Sequence, residues 1–131
     1  SIEAESFPNA WDHGTLDHFL LDPRAWSRVA LENGVVVAFI VTLVDGRTMR
    51  IANLAVRGDR RRRGIARALL EHVAAAAESL GLNELALEVR ESNLAGQLLY
   101  RSAGFRAVII RRRYYGDEDG YEMRRPIGPK P

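Results

Sequence analysis

Four consecutive arginines, Arg60 to Arg63, lead into Gly64 and Ala66 and form a segment suited to holding a phosphate group. An apolar run, Ile51 to Val56, precedes the segment, and a helical pattern over about 64–81 follows it. Backbone N–H groups at a helix start lack partners within the helix and lie at the positive end of its dipole. Small residues let an anion approach these groups, and one arginine can donate two parallel hydrogen bonds to a phosphate. The segment indicates a phosphorylated cofactor, with a solvated basic surface as the alternative.

Two further residues carry side chains that could transfer protons. Glu88 lies between Leu87 and Val89 in a predicted strand, and Tyr100 lies in a short predicted helix. A carboxylate can take a proton from an ammonium group directly or through water, and a phenol can protonate a departing thiolate. Each residue also has a structural interpretation: Glu88 as half of an ion pair with Arg90 or another neighbour, and Tyr100 as a core aromatic. The residues alone leave both interpretations open.

Composition limits the classes of function. The 131 residues predict one domain, 1–131, and the formal net charge is only +2. This near balance argues against a dedicated nucleic-acid binder. The absence of cysteine excludes disulfides, thiolate metal sites and a cysteine acyl-enzyme, and the three histidines lack the spacing of metal ligands. No apolar run approaches the roughly 18 residues of a membrane-spanning helix and no secretory signal is evident, so a cytoplasmic location is expected.

The hydrophobic periodicity predicts an α/β fold with a mixed, mostly antiparallel sheet flanked by helices. Short helices are expected in 1–23 and a loose tail in 126–131. Turn signals at 33–34 and 45–46 predict an antiparallel meander, and the helix after it requires that the next strand pair in parallel. The predicted strands are 26–32, 35–44, 48–56, 85–89, 105–113 and 121–125, and the predicted helices are 64–81 and 94–102.

Three motifs carry a resemblance to a known family. They are Leu-Glu-Val-Arg-x-Ser-Asn at 87–93, Leu-Tyr-x-Ser-x-Gly-Phe at 99–105, and Arg-Arg-Arg-Tyr-Tyr at 111–115. Together with the arginine loop, they resemble the GCN5-related N-acetyltransferase (GNAT) superfamily, and within it the RimI-type alanine N-acetyltransferases of ribosomal protein S18. The similarity runs from about Phe7 to Ile127. Relative to that family, an N-terminal strand and half of the first helix are missing, and Ala66 replaces a common glycine.

The resemblance implies the GNAT fold, acetyl-CoA as cosubstrate and no metal. It assigns the general base to Glu88 and the general acid to Tyr100. It implies that the backbone near Ala55 and Val56, at a splay or bulge in the third strand, polarises the thioester carbonyl. The implied cofactor-binding residues are Leu54, Ala55, Val56, Arg61, Arg62, Arg63, Gly64, Ile65, Ala66, Arg67 and Asn93. The implied acceptor-binding residues are Trp11, Tyr114 and Tyr115.

The function that the resemblance implies is acetylation of a protein N-terminal α-amine, with the alanine terminus of ribosomal protein S18 as the acceptor. Because the chain has no cysteine, direct attack in a ternary complex is expected. The alternatives are acetylation of lysine or small amines, and a non-catalytic acetyl-CoA sensor. Asn93 could also cap the helix that begins at Leu94. The arginines at 111–113 and 124–125 are expected to face solvent, with steering of an acidic or RNA-bound substrate as the alternative. The acids at 117–119 are expected to solubilise a turn, with attraction of a positively charged N-terminus as the alternative.

Overall fold

The computed structural model of the protein describes residues 25–32, 34–58 and 64–128. The predicted helices within 1–23, Trp11, and Arg61, Arg62 and Arg63 lie outside the described residues, as do residues 129–131.

Within the described residues, six strands and two helices follow one another in the predicted order and at nearly the predicted positions. The strands are β1 Ala25–Glu32, β2 Val35–Asp45, β3 Thr48–Val56, β4 Glu84–Arg90, β5 Arg106–Arg111 and β6 Gly120–Pro126. The helices are α1 Ile65–Ser79 and α2 Leu94–Ser102, with α1 between β3 and β4 and α2 between β4 and β5.

The six strands form one mixed sheet in the order β1-β2-β3-β4-β6-β5. β1, β2 and β3 make the predicted antiparallel meander. β3 pairs with β4 in parallel, as the intervening helix requires. β4 pairs with β6 in antiparallel register along its whole length, and β5 completes the edge. β4 therefore lies between β3, which precedes it in the chain, and β6, which follows it by about 30 residues.

The central feature of the sheet is the short contact between β3 and β4. Only Thr48–Arg50 of β3 pairs with Glu84–Ala86 of β4. Beyond these positions, the described residues of the two strands are not paired with each other, so the strands separate towards their C-terminal ends. β3 also contains a bulge against β2, because Val41 pairs with Asn53 and Thr42 with Ile51, leaving Ala52 as the extra residue. The expected splay includes Ala55 and Val56, whereas the bulge lies three residues before Ala55.

Glycines determine both ends of α1. Gly64 is the N-cap and has a φ of +77°, a conformation that residues with a side chain rarely adopt. At the other end Leu80 is the C-cap and Gly81 follows it with a φ of +74°. The Leu82 N–H then donates to the Ala77 carbonyl at 2.9 Å, the bond that closes a Schellman motif. The glycine predicted to end this helix therefore lies one position after its cap.

The main hydrophobic core lies between the sheet and the two helices. α1 contributes its buried face, including Leu70 and Val73, and β4 contributes Leu85, Leu87 and Val89. Because side chains alternate along a strand, Glu84, Ala86, Glu88 and Arg90 face the opposite side of the sheet. On that side, a smaller apolar cluster consists of Phe39, Val41 and Ala55.

The C-terminal part of the fold differs from the prediction in two places. β5 ends at Arg111 rather than 113, because Arg113 has a φ of +51° and its N–H donates to the Asp119 carboxylate at 2.8 Å. Pro126, predicted to begin a loose tail, is the last residue of β6. The Ile127 N–H donates to the Asn83 carbonyl at 2.8 Å, so the ordered chain extends beyond the strand.

Candidate active site

Glu88 lies in β4 where that strand separates from β3. The last β4 residue that pairs with β3 is Ala86, two positions earlier. The side chain of Glu88 is about one-fifth exposed, at 21%. Its carboxylate therefore lies beside the opening between the two strands, desolvated in part and still accessible from one face of the sheet.

The partner of Glu88 is Arg50 rather than Arg90. Arg50 Nη1 lies 3.5 Å from Glu88 Oε1, and it also lies 3.9 Å from Glu122 Oε1. Arg90 instead donates to Glu118 at 3.0 Å. The alternative interpretation of Glu88, an ion pair with a neighbour, is therefore confirmed in this form. An ion pair and a role as a base are compatible.

Glu122 is a buried carboxylate that sequence reasoning missed. It is 0% exposed and is the Cα partner of Glu88 across the β4–β6 ladder. Arg111 Nη2 donates to its Oε1, and Arg124 Nε donates to its Oε2 at 2.6 Å. Burial acts to raise the pKa of Glu122, but these hydrogen bonds and the two positive charges hold it below its ordinary value.

The sequence around Glu122 resembles that around Glu88, because each is a carboxylate between apolar or aromatic residues of a strand. Glu122 lies between Tyr121 and Met123 in a strand, as Glu88 lies between Leu87 and Val89. The expectation that Arg111, Arg124 and Arg125 face solvent was wrong. Arg124 bridges Glu122 and Glu84, and Arg125 Nη1 donates to Glu71 of α1 at 2.8 Å. Carboxylates on the neighbouring elements hold these guanidinium groups against the protein.

Tyr100 lies on the opposite side of the sheet from Glu88. It is 0% exposed, belongs to the main core, and its ring meets Phe105 edge-on at 5.8 Å between centroids. Core packing, the alternative interpretation of this residue, is what the structure describes. The role of general acid remains a prediction.

The described residues of the predicted cofactor site surround the C-terminal half of β3 and the start of α1. Leu54, Ala55 and Val56 are buried, so their side chains are occupied in the core and only their backbone is available to a ligand.

The start of α1 leaves its backbone N–H groups without a side-chain cap, because Gly64 has no side chain, and the first turn of the helix carries no acidic residue. The start of this helix is thus compatible with an anion. Ile65 and Ala66 are half-buried. Arg67 Nη1 lies 3.5 Å from Ser102 Oγ of α2.

Asn93 is the N-cap of α2. Its Oδ1 accepts a hydrogen bond from the Gly96 N–H at 2.9 Å, which confirms the capping interpretation. A Cβ at Gly96 would lie 2.6 Å from Asn93 Nδ2, so a larger residue there would require the asparagine side chain to shift. A contact between Asn93 and the cofactor remains a prediction.

The loop between β5 and β6 places the two predicted acceptor-binding tyrosines side by side. The rings of Tyr114 and Tyr115 meet edge-on at 4.9 Å, and the Arg90 guanidinium lies 4.2 Å from the centre of the Tyr115 ring. Tyr114 is exposed. Burial, together with the nearby Tyr114 and Glu88, raises the pKa of Tyr115, so its phenol stays protonated at neutral pH.

Two of the three acids in this loop have local structural roles. The Glu118 carboxylate accepts hydrogen bonds from Arg90 and from the Ser92 hydroxyl, both at 3.0 Å, which joins the loop to the end of β4. Asp119 accepts from the Arg113 N–H. Asp117 is exposed. The acids thus fix the loop that carries the tyrosines.

Neither described helix is long and apolar enough to span a membrane. Within residues 25–32, 34–58 and 64–128, no three His, Asp or Glu side chains converge as a metal site.

Comparison with known sequences identifies the family. The model of the acetyltransferase (GNAT) family matches residues 1–105. A ribosomal protein bS18-alanine N-acetyltransferase from Escherichia coli strain K12 is 45% identical over 91 residues, which make up 70% of this chain and 62% of that protein. The match thus spans less than two thirds of the length of this relative. An N-alpha-acetyltransferase from Sulfurisphaera tokodaii is 40% identical over 79 residues, 59% of this chain and 47% of that protein.

A solved structure agrees with these matches. The ribosomal-protein-S18-alanine N-acetyltransferase from Escherichia coli superposes with a TM-score of 0.82 and 35% identity, covering 100% of this chain and 94% of that one. An aminoglycoside 6'-N-acetyltransferase complexed with coenzyme A superposes with a TM-score of 0.83 at 16% identity, which shows a shared fold. The separated strands, the glycine-led helix and the sequence matches lead to one conclusion: the chain belongs to the GNAT acetyltransferase family.

Proposed function

We propose that the protein transfers the acetyl group of acetyl-CoA to the N-terminal α-amine of a protein, and that the acceptor is the alanine terminus of a ribosomal protein of the S18 type. The observation that carries the proposal is the half-buried carboxylate of Glu88 beside the opening between β3 and β4. Membership of the GNAT family and the 45% identity to an enzyme of that specificity support it.

In this proposal Glu88 is the general base. It takes a proton from the acceptor's ammonium group, directly or through water, and the neutral amine attacks the carbonyl carbon of the thioester. The C–N bond forms as the C–S bond breaks, and Tyr100 gives its proton to the departing sulfur. The nitrogen releases its surplus proton as the amide forms, and water carries this proton to the Tyr100 phenolate. Glu88 and Tyr100 belong to opposite sides of the sheet, and a thioester in the opening between β3 and β4 would be within reach of both sides.

The cofactor-binding part of the proposal rests on backbone groups. Leu54, Ala55 and Val56 pair with β2 on one side and lie in the half of β3 that is not paired with β4 on the other. Backbone amides of this segment that point away from β2 can donate to a carbonyl oxygen or to the pantetheine amides. The pyrophosphate is assigned to the loop Arg61 to Arg67 at the start of α1, and a further contact to Asn93. The helix start suits an anion, since its first turn contains no acid.

The acceptor is assigned to the surface that carries Tyr114 and Tyr115, together with Trp11. Because the sequence has no cysteine, the acetyl group passes directly from cofactor to acceptor in a ternary complex. The chain 1–131 acts as a single domain in this proposal, and a ribosomal acceptor places it in the cytoplasm.

A peptide panel tests the proposal. The protein is incubated with acetyl-CoA and, separately, an Ala-starting S18 peptide, peptides with other N-termini, N-terminally blocked lysine peptides and polyamines, and the products are located by mass spectrometry. Acetylation confined to the α-amine of the S18 peptide is the expected result. Acetylation of lysine or polyamines would keep the activity and replace the acceptor.

The variant Glu88→Gln separates an enzyme from a sensor. We expect kcat to fall by about 10²–10⁴, the usual contribution of a general base, with the affinity for coenzyme A unchanged in calorimetry. Glu71→Gln is the matched control, because Glu71 pairs with Arg125 away from the opening. Coenzyme A binding without turnover in the wild-type protein would indicate a sensor instead.

A further inference from the structure

The loop between β5 and β6 is fastened to the end of β4 through one carboxylate. Glu118 Oε1 accepts hydrogen bonds from Arg90 Nη1 and from the Ser92 hydroxyl, both at 3.0 Å. Its Oε2 accepts from the Ser92 N–H at 3.2 Å. The Glu118 side chain is only 18% exposed. Hydrogen bonds to charged groups are among the stronger ones in proteins, and we call these three bonds the Glu118 clasp.

The Glu118 clasp also fixes the support of an aromatic pair. The Arg90 guanidinium lies 4.2 Å from the centre of the Tyr115 ring, and this ring meets Tyr114 edge-on at 4.9 Å. A guanidinium over the face of a tyrosine ring is attracted to it. Because one guanidinium binds both Glu118 and Tyr115, the position of the ring depends on the carboxylate.

Gly120, the first residue of β6, leaves the space that the two rings occupy. It is the Cα partner of Arg90 in the β4–β6 ladder. A Cβ at Gly120 would lie 2.7 Å from Tyr115 Cε2 and 3.4 Å from Tyr114 Cβ. The tyrosines therefore pack directly against the backbone of β6. Since side chains two residues apart on a strand share a face, they do so on the face of the sheet that carries Glu122.

The tyrosine pair thus lies on the same side of the sheet as Glu88. Arg90 follows Glu88 by two positions in β4, so both side chains face this side. The charge of Glu88 is one of the influences that raise the pKa of Tyr115, which agrees with their proximity. The rings lie beyond Glu88 towards the C-terminal end of β4, in the part of the strand that is not paired with β3. They border the opening on the side of the loop.

We propose that Glu118 is a positioning residue, which holds Tyr115 through Arg90 so that the tyrosine pair forms a preformed wall for the acceptor beside Glu88. The inference rests on the proposed function, in which the acceptor binds at this surface. A loop that is ordered before binding loses less conformational entropy when the acceptor arrives. Because Glu118 acts through Arg90, its contribution belongs to acceptor binding rather than to the chemical step.

The test measures kcat and KM for the acceptor peptide in Glu118→Ala, Glu118→Gln and the wild-type protein. In Glu118→Ala we expect KM for the acceptor to rise about tenfold, the scale of ordering one or two side chains on binding. We expect kcat to stay within about threefold of wild type, because a loss of binding shared by ground state and transition state leaves kcat in place. Glu118→Gln should give an intermediate KM, since its amide oxygen can still accept from Arg90.

Asp117→Ala is the matched control, because it removes a carboxylate from an exposed position of the same loop. Its KM for the acceptor should stay within about twofold of wild type, as exposed charges contribute little. Equal rises in Asp117→Ala and Glu118→Ala would overturn the inference, because the loop would then act through its negative charge. Gly120→Ala displaces the Tyr115 ring without removing a charge, and it should also raise KM with kcat retained.

Amide hydrogen exchange gives a readout independent of turnover. Exchange in residues 113–119 should be faster in Glu118→Ala than in wild type and unchanged in Asp117→Ala. Unchanged exchange in Glu118→Ala would overturn the inference, and so would faster exchange with an unchanged KM; in both cases the proposed function stands. If the wild-type protein acetylates no protein α-amine, the proposed function fails and the inference fails with it.

Discussion

The two residues before Glu122 in the sequence are uncharged, yet the structure buries its carboxylate completely and pairs it with arginines. Its three arginine neighbours, Arg50, Arg111 and Arg124, come from three different strands. Local sequence can mark a strand and its two faces. It cannot tell which residues of other strands lie beside a given side chain, because that depends on the order of strands in the sheet. This is why the family motif could select Glu88, whereas the local signal at Glu122 could not show that Arg50 and Arg111 lie beside it.

We expect Glu122→Gln to lower the free energy of unfolding by about 1.5–3 kcal/mol, the scale of a hydrogen bond to a charged group. The substitution removes the buried charge that Arg111 and Arg124 share, but both guanidinium groups keep part of their contact with solvent. Glu71→Gln, which breaks the more exposed pair with Arg125, should cost at most about 1 kcal/mol. Urea denaturation at neutral pH gives both values. Equal losses in the two variants would contradict the burial argument.

The same carboxylate predicts how stability changes in acid. Its pKa is held below the ordinary value of 4.5, so its contribution to stability is complete above that pH and is lost as the pH falls through the lower folded value. The difference in unfolding free energy between wild type and Glu122→Gln should therefore shrink in acid. Urea titrations at a series of pH values check this. A difference that stays constant down to strong acid would show that Glu122 does not contribute through its charge.

Tyr100→Phe separates the two interpretations of the buried tyrosine. The ring that packs on Phe105 is retained, so the unfolding free energy should change by no more than about 1.5 kcal/mol, the scale of one hydrogen bond. If the phenol protonates the departing sulfur, kcat should fall by about 10²–10⁴ with KM for acetyl-CoA little changed. Unchanged kcat at unchanged stability would leave Tyr100 as a packing residue only.

The helices and strands could be predicted within a few residues because their signals are local. The period of apolar residues changes from two to nearly four where α1 begins, and glycines mark both of its ends. α2 occupies the predicted residues, Leu94–Ser102. The error at the end of β5 has a specific cause: the apolar and basic pattern continues through Arg113, but Asp119 turns the backbone there into a left-handed conformation.

Substitutions at Asn93 distinguish its role as the N-cap of α2 from a direct contact with the cofactor. Asn93→Ala removes the acceptor of the Gly96 N–H and should lower the unfolding free energy by about 1 kcal/mol, while Asn93→Ser keeps a capping oxygen. Coenzyme A affinity, measured by calorimetry, then distinguishes the roles. Loss of affinity in both variants indicates a direct contact, and loss in Asn93→Ala alone indicates that the cap acts by ordering the helix.

Gly96→Ala provides an independent check on the same cap. The added Cβ would lie 2.6 Å from Asn93 Nδ2, so the asparagine side chain must shift, and we expect its hydrogen bond to the backbone to weaken. We expect a loss of stability similar to that of Asn93→Ala, and no further loss when the two substitutions are combined. An additive loss, again from urea denaturation, would mean that Gly96 contributes separately from the cap.

The sheet as a whole depends on its last strand. β6 pairs with seven residues of β4, whereas β3 pairs with three, so β6 is the main neighbour of the strand that carries Glu88. A chain that ends at Asp119 loses this neighbour, the buried Met123 and Glu122, and should show no cooperative thermal transition. A chain that ends at Gly128 keeps the bond from Ile127 to Asn83 and should melt like the full chain. A cooperative transition in the shorter chain would show that β4 is stable without β6.

The strand order also bears on when the protein becomes active during its own synthesis. The opening between β3 and β4, the glycine-led α1 and Glu88 itself are all translated before residue 91, but β6, which flanks Glu88 on its other side, is translated about 30 residues later. A nascent chain whose β6 is still within the ribosome therefore has the elements assigned to cofactor binding without a finished site. If its acceptor is a ribosomal protein, the protein should begin to modify ribosomes only once β6 has emerged from the ribosome that makes it.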